Sequence, residues 1–273
     1  MGDASHVQPI NDYWGRDGLE QAILDALAAS GKHLDALTIE DLAPLDQFHG
    51  GGKGATVRLA RLAGLTPGMR VLDVGGGLGG PARTLALEFG CHVTVVDLTA
   101  SYVRAARGLT ARLELGDRVT HHAGHALELP FGDGAFDAVW TQNSGMNIAA
   151  KDRLYGGFHR VLRPGGVLAL QEPMAGPVQP PIFPVMWARD AATSFLRTPA
   201  EMRALIEAAG FRARAWEDVT AEVAGSGATV PAHSIQSLVM GDALAAITRA
   251  GQRNRDEGRI VVVQAVFDRS ARG

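Results

Sequence analysis

Apolar residues in this chain fall into two rhythms. Up to about residue 65 they recur at helical spacing, with Leu19, Ile23, Leu24 and Leu27 forming one stripe within 18–29 and a second face over 56–65. Between these, Thr38-Ile-Glu-Asp41 has the form of a capped helix start. From Gly68 onward short apolar runs alternate with amphipathic stretches. The runs predict strands at 70–74, 92–97, 118–122, 135–141 and 167–172, and helices at 80–89, 100–115, 151–161 and 199–209. Two further strands, 213–219 and 259–268, are joined by a Gly- and Ala-rich segment with a helical stretch near 240–251. Strands alternating with helices imply parallel βαβ units and an α/β fold. No internal repeat or Pro/Ser-rich linker divides the chain. The reading is a helical cap over 1–65 on a core of 66–273, with the Pro-rich stretch from Pro173 to Pro184 in a segment laid over a site near 173–200.

Composition narrows the function. Of the 273 residues 46% are hydrophobic and 20% charged, enough to bury a large core. Basic and acidic residues nearly balance, 26 against 29, so no field favours a nucleic-acid backbone, and none is expected as a partner. The single cysteine, Cys91, rules out an internal disulfide and a thiolate zinc site, and His92, His121, His122 and His159 lack metal-ligand spacing, so no metal is expected. Residues 1–13 do not read as an export signal and no apolar run reaches membrane-spanning length, so a cytoplasmic protein with no membrane partner is expected. A homodimer is compatible with the sequence. Glycine is in excess, 34 residues, with 11 between Gly50 and Gly80.

Those glycines carry the chemistry. Val71-Leu-Asp-Val-Gly-Gly-Gly-Leu-Gly-Gly-Pro-Ala82 passes from a buried strand into a helix, and Gly75, Gly77 and Gly79 let the backbone turn tightly against a ligand. Asp97 closes the next strand 22 residues after Gly75, where a carboxylate can take both hydroxyls of a ribose. Nicotinamide dinucleotides and S-adenosylmethionine both fit an adenosine site of this kind. The loop reads Gly-x-Gly-x-Gly with Asp73 two residues ahead of it, and that carboxylate would repel a pyrophosphate. The pattern resembles the first motif of class I methyltransferases more than the dinucleotide fingerprint, and no Tyr-x-x-x-Lys pair is present.

The resemblance extends through Leu129-Pro-Phe131, Phe136-Asp-Ala-Val-Trp140 and Val161-Leu-Arg-Pro-Gly-Gly-Val-Leu168, in order. It implies a Rossmann-like, seven-stranded class I methyltransferase sheet with an N-terminal helical cap, and S-adenosylmethionine as cofactor. More narrowly, Leu42-Ala-Pro-Leu-Asp-Gln-Phe-His49, Thr141-Gln-Asn-Ser-Gly-Met-Asn-Ile148 and Phe183-Pro-Val-Met-Trp-Ala-Arg-Asp190 resemble the sarcosine and dimethylglycine N-methyltransferase group. Carried over, the resemblance implies that Gln47, Asp73, Gly75, Gly77, Gly79, Asp97, Leu98, His125, Ala126 and Gln142 hold the cofactor. It places His49 and, through more distant relatives, Asn143 and Asn147 at the reacting centre, with Met146 against the acceptor. By their own chemistry Trp187 can present an indole face to an ammonium or sulfonium and Arg189 can pair with a carboxylate or phosphate of the acceptor. Two positions depart from the group: His125 stands where an acidic residue usually meets the adenine amino group, and Asn143 where a histidine is usual. A neutral His125 could accept that hydrogen bond through a ring nitrogen.

The Gly50-Gly-Gly-Lys-Gly54 cluster lacks a Ser or Thr after Lys53 and a preceding strand, so it reads as a hinge between cap and core, not a phosphate loop. The expected activity is methylation of a small-molecule amine, with His49 as the base. Alternatives are O- or C-methylation of a small natural product or prenyl phosphate, a non-catalytic binder of the same cofactor and, more remotely, a nicotinamide oxidoreductase.

Overall fold

The computed structural model describes residues 7–223 and 234–270. The first six residues of the expected cap, and 224–233 of the Gly- and Ala-rich segment, lie outside the described residues.

In chain order the elements are α1 (Val7–Trp14), α2 (Leu19–Ala29), α3 (Ile39–Asp46), α4 (Gly52–Ala63), β1 (Arg70–Val74), α5 (Gly80–Phe89), β2 (His92–Asp97), α6 (Ala100–Arg112), β3 (Val119–Ala123) and β4 (Phe136–Gln142), followed by α7 (Lys151–Val161), β5 (Leu162–Ala175), α8 (Pro199–Ala208), β6 (Phe211–Asp218), α9 (Thr220–Val223), α10 (Ile235–Met240), α11 (Leu244–Asp256) and β7 (Ile260–Arg269). The strands form one sheet in the order β3-β2-β1-β4-β5-β7-β6. β1 to β5 run parallel, and β7 runs antiparallel between β5 and β6. The sheet is therefore the seven-stranded class I methyltransferase arrangement, with helices from the N-terminal segment beside it.

Alternation along the strands builds a core on each face. Leu72, Val74 and Val139 pack with Leu154 and Phe158 of α7 and Ile206 of α8. On the opposite face Val71, Ala138 and Trp140 pack with Leu59 of α4 and Ala82 and Leu85 of α5. A third cluster joins Leu24, Leu27, Leu42 and Leu45 of the cap to Tyr102 and Leu109 of α6 and Ile235 and Val239 of α10. None of the described helices is long and apolar enough to cross a membrane.

Strand order reverses between β1 and β4, and their register sets Asp73 beside both Val95 and Trp140. The loops after β1, β2 and β4 thus open at one sheet edge, the place where such sheets take ligands.

Several boundaries differ from the sequence reading. β5 runs from Leu162 to Ala175 because the Gly165-Gly166 turn is absorbed as an irregularity in its pairing with β4. Pro173 lies past the last residue of β5 that pairs with β4, where a strand tolerates a missing N–H. The helix expected near 240–251 is α11, which starts at Leu244 and runs on to Asp256; Gly241, at φ 50°, follows the end of the short α10. In the Gly50 to Gly54 cluster, Gly51 caps α4 in the left-handed region. A side chain on Gly50 would meet Val223 at 3.0 Å.

Candidate active site

The glycine loop is tied down before any ligand arrives. Gly77 N donates to Asp97 Oδ2 at 2.9 Å, and Thr99 N donates to Oδ1 at 2.8 Å, so Asp97 pins the loop to the end of β2. Gly75 lies so close to the β4 turn that a Cβ would fall 2.2 Å from Ser144 Cβ. Gly77 is the opposite case: it lines the cavity at φ 54°, and a Cβ there would find nothing nearer than Tyr102 at 3.8 Å. Its missing side chain leaves room for a ligand. Gly79 does not line the cavity; a Cβ on it would meet His121 Cε1 at 2.5 Å, so its role is to seat α5 against β3.

Asp73 is fully buried, and its Oδ2 has no hydrogen-bond partner. Burial, with a further push from the Asp97 charge, raises its pKa to about 8. Burial also raises Asp97, against its two backbone donors. Two carboxylates at the cavity wall, one with an unmatched oxygen, fit a cationic or hydroxyl-bearing ligand.

From the cap, His49 enters a closed polar knot. Its Nε2 lies 3.0 Å from Gln47 Oε1 and 3.1 Å from Thr56 Oγ1, and its Nδ1 lies 3.2 Å from Gly50 O. Thr56 Oγ1 also lies 3.1 Å from Gln142 Oε1, which accepts from Trp140 Nε1 at 3.0 Å. Burial lowers the His49 pKa to about 4. The imidazole is therefore neutral and engaged at both nitrogens, a poor proton acceptor. Gln47 turns inward to donate to Thr84 Oγ1 at 3.2 Å and, unlike His49 and Gln142, does not line the cavity.

The turn after β4 supplies more of the wall. Asn143 adopts φ 53°, its N–H donates to Gln171 O at 2.8 Å, and its Oδ1 is enclosed without a partner. Left-handed backbone on a side-chain-bearing residue is a local cost that functional turns carry. Asn147 Nδ2 donates to Trp187 O at 3.0 Å and Thr193 O at 2.7 Å, which fastens the segment after β5 over the cavity. Trp187 and Met146 line the cavity, and Trp187 Nε1 donates to Ser194 Oγ at 3.0 Å. Arg189 is elsewhere: it is exposed, with its guanidinium 5.7 Å from the Tyr13 ring centre.

Sequence reasoning missed Glu172, whose Oε1 accepts from Ser144 N at 3.2 Å and Gly145 N at 2.8 Å and so holds the turn from beneath. An acid ending an otherwise apolar strand was its only signal. It also missed Trp14 and Phe48, which line the cavity, and the face of α11 that does.

Together these residues enclose about 720 Å³. Asp73, Gly75, Gly77, Asp97, Leu98, His125 and Ala126 wall one end. His125 Nδ1 accepts from Leu127 N at 3.1 Å, so the neutral ring carries its proton on Nε2. The nitrogen left for a ligand is a donor, which reverses the acceptor role expected of it. Met146, Val185, Met186, Trp187, Ile247 and Ile260 line an apolar chamber within the same cavity. No cluster of His, Cys, Asp or Glu suited to a metal occurs among the described residues.

Residues 71–166 match a family model described as a methyltransferase domain. The sterol 24-C-methyltransferase of Eremothecium gossypii is 38% identical over 114 residues, 42% of this chain and 31% of that protein. The glycine/sarcosine/dimethylglycine N-methyltransferase of Actinopolyspora halophila is 36% identical over 118 residues, 43% of this chain and 21% of that protein. The chain thus spans less than a third of the length of these two curated relatives. Its fold matches the crystal structure of the [4+2]-cyclase SpnF with a TM-score of 0.69 over 93% of both chains, at 22% identity.

Proposed function

We propose that this chain, which carries a class I S-adenosylmethionine-dependent methyltransferase domain, transfers a methyl group to carbon or oxygen of a small, mostly apolar acceptor. The observation that carries this reading is the cavity, which combines Gly77 and Asp97 with the apolar surface of Met146, Val185, Met186, Trp187, Ile247 and Ile260. S-adenosylmethionine, when bound, supplies an electrophilic methyl group.

The chain's own part is binding, alignment and exclusion of water. Asp97 keeps acceptor capacity on both oxygens for ribose hydroxyls, since a carboxylate has about four lone-pair sites. Asp73, with its unmatched oxygen, suits a positive group, and Gly75, Gly77, Leu98, His125, Ala126 and Gln142 shape the rest of the cofactor end. Asn143 offers its enclosed amide oxygen, while Asn147 and His49 act through the elements they fasten. Met146 and Trp187 face the acceptor.

Carbon or oxygen methylation is preferred because the carboxylates lining the cavity are Asp46, taken by Arg83, and Asp73 and Asp97, beside the glycine loop, and because His49 is too weak a base to deprotonate an ammonium. The C-methyltransferase relative supports the same direction. Methylation of an amine is the second reading, favoured by the Trp187 indole, whose face suits a cation.

The test is mass spectrometry of reactions with S-adenosylmethionine and a panel of apolar alcohols, phenols, prenyl phosphates and amines. A mass gain of one methyl on a carbon or oxygen acceptor is expected. Products from amines alone would transfer the assignment to nitrogen. Failure to bind S-adenosylhomocysteine, or a rearranged product without a methyl, as a cyclase on this fold would give, would overturn the methyltransferase reading.

A further inference from the structure

We propose that the apolar chamber has an oxyanion-binding end at Arg255, and that the acceptor is an apolar molecule bearing a carboxylate or phosphate. This rests on the reading of that chamber as the acceptor site.

α11 turns Thr248, Gly251, Gln252 and Arg255 toward the cavity, the spacing of a single helix face. Arg255 is partly buried, and a Cβ on Gly251 would meet its Nη1 at 3.5 Å, so the guanidinium lies back along the face that borders the chamber. Its Nη2 donates to Gln252 Oε1 at 2.8 Å, and Gln252 Nε2 donates onward to Asp256 Oδ1 at 2.7 Å. The helix is fixed in place by Asn254, which exchanges hydrogen bonds with the backbone of Ile182 at 2.7 and 2.8 Å.

Two neighbouring arginines behave differently. Arg253 and Arg259 both pair with Glu257, at 2.9 and 2.6 Å. Arg255 has no carboxylate partner among the described residues. It lines the same cavity as Val185, Ile247 and Ile260; of the carboxylates in that lining, Asp46 is paired with Arg83, and Asp73 and Asp97 lie beside the glycine loop. The Arg255 guanidinium, partly exposed and with only Gln252 as a side-chain partner among the described residues, keeps donors free for an anion. Its planar fork of donors matches a carboxylate or phosphate in two parallel hydrogen bonds. A neutral hydrocarbon would leave that charge uncompensated, and an ammonium would be repelled.

Octanol, octanoate and octyl phosphate share one flexible apolar body and differ only in the head group. Their binding to full-length protein saturated with S-adenosylhomocysteine is read by calorimetry and by the fluorescence of Trp14 and Trp187, which line the cavity. At least one anion is expected to bind about tenfold more tightly than octanol, and the tighter of the two identifies the head group. Arg255→Met should bring all three within about threefold of one another while leaving octanol within about twofold of wild type, and Arg255→Lys should restore part of the preference. The Lys variant also serves if the Met variant melts early. Equal binding of octanol and both anions by wild type, retained preference in Arg255→Met, or no binding of any of the three would overturn the proposal. Loss of S-adenosylhomocysteine binding by wild type would instead sink the methyltransferase reading on which it rests.

Discussion

Asp73 is the residue whose state depends most on what fills the cavity. With a pKa near 8 it is protonated at pH 7, because burial and Asp97 both oppose its charge. A cationic group placed against its unmatched Oδ2 would favour the carboxylate and expel the proton. Calorimetry of S-adenosylhomocysteine binding at pH 7, in buffers of different ionisation enthalpy, should therefore show net proton release by wild type and none by Asp73→Asn; the same release in both would remove Asp73 from that role. His49 gives the contrasting case. A neutral ring with a pKa near 4 predicts that no inflection between pH 5.5 and 8 in kcat/KM belongs to it. An inflection near 6.5 that disappears in His49→Ala would restore the base. These states were hidden in the sequence because they depend on partners: Gln47, His49 and Thr56 are close in sequence, but Gln142, which completes their knot, comes from β4. The direction in which Gln47 and Arg189 turn was equally hidden, being settled by Thr84 and Tyr13.

Among the elements, the segment from Val185 to Ser194 depends on others for its position. Tyr13 of α1 donates from its hydroxyl to Val185 O and Met186 O, both at 3.1 Å, and Asn147 holds the same segment from the other side. Tyr13→Phe should cost about 1 kcal/mol, read as a melting temperature lower by about 2–4 °C, and raise the acceptor KM more than it lowers kcat. A KM equal to wild type would mean that the clamp does not shape the chamber. β1, α5 and β2 were legible because their signals are local: apolar runs, the glycine turn, and a carboxylate at a strand end. α1 and α11 were less so. Their apolar spacing can indicate a helix, but which surface that helix covers is decided by contacts far along the chain, such as Tyr13 with Val185, 172 residues apart, and Asn254 with Ile182, 72 apart.

At the scale of the whole molecule, cap and sheet are joined through a charge pair with almost no access to water. Arg83 of α5 is fully buried and donates from Nη2 to Asp46 Oδ2 of α3 at 2.8 Å, with further donations to Leu78 O at 2.7 Å and Thr110 Oγ1 at 3.0 Å. α3 is pressed so close to the start of α5 that a Cβ on Gly80 would fall 2.4 Å from Asp46 O. The joint therefore ties the cap to the helix that opens from the glycine loop, and cap and core should unfold in one transition. Desolvation of both ions makes the pair a poor source of net stability, although losing one partner is severe because it strands the other charge. Asp46→Asn should destabilise by about 3–5 kcal/mol in urea unfolding. Removing both charges, Asp46→Asn with Arg83→Met, should cost less than that single change despite being the larger alteration. If the double variant is as unstable as the sum of the two single ones, the cap is held by packing of Leu42 and Leu45 instead, and the charge pair only accompanies it.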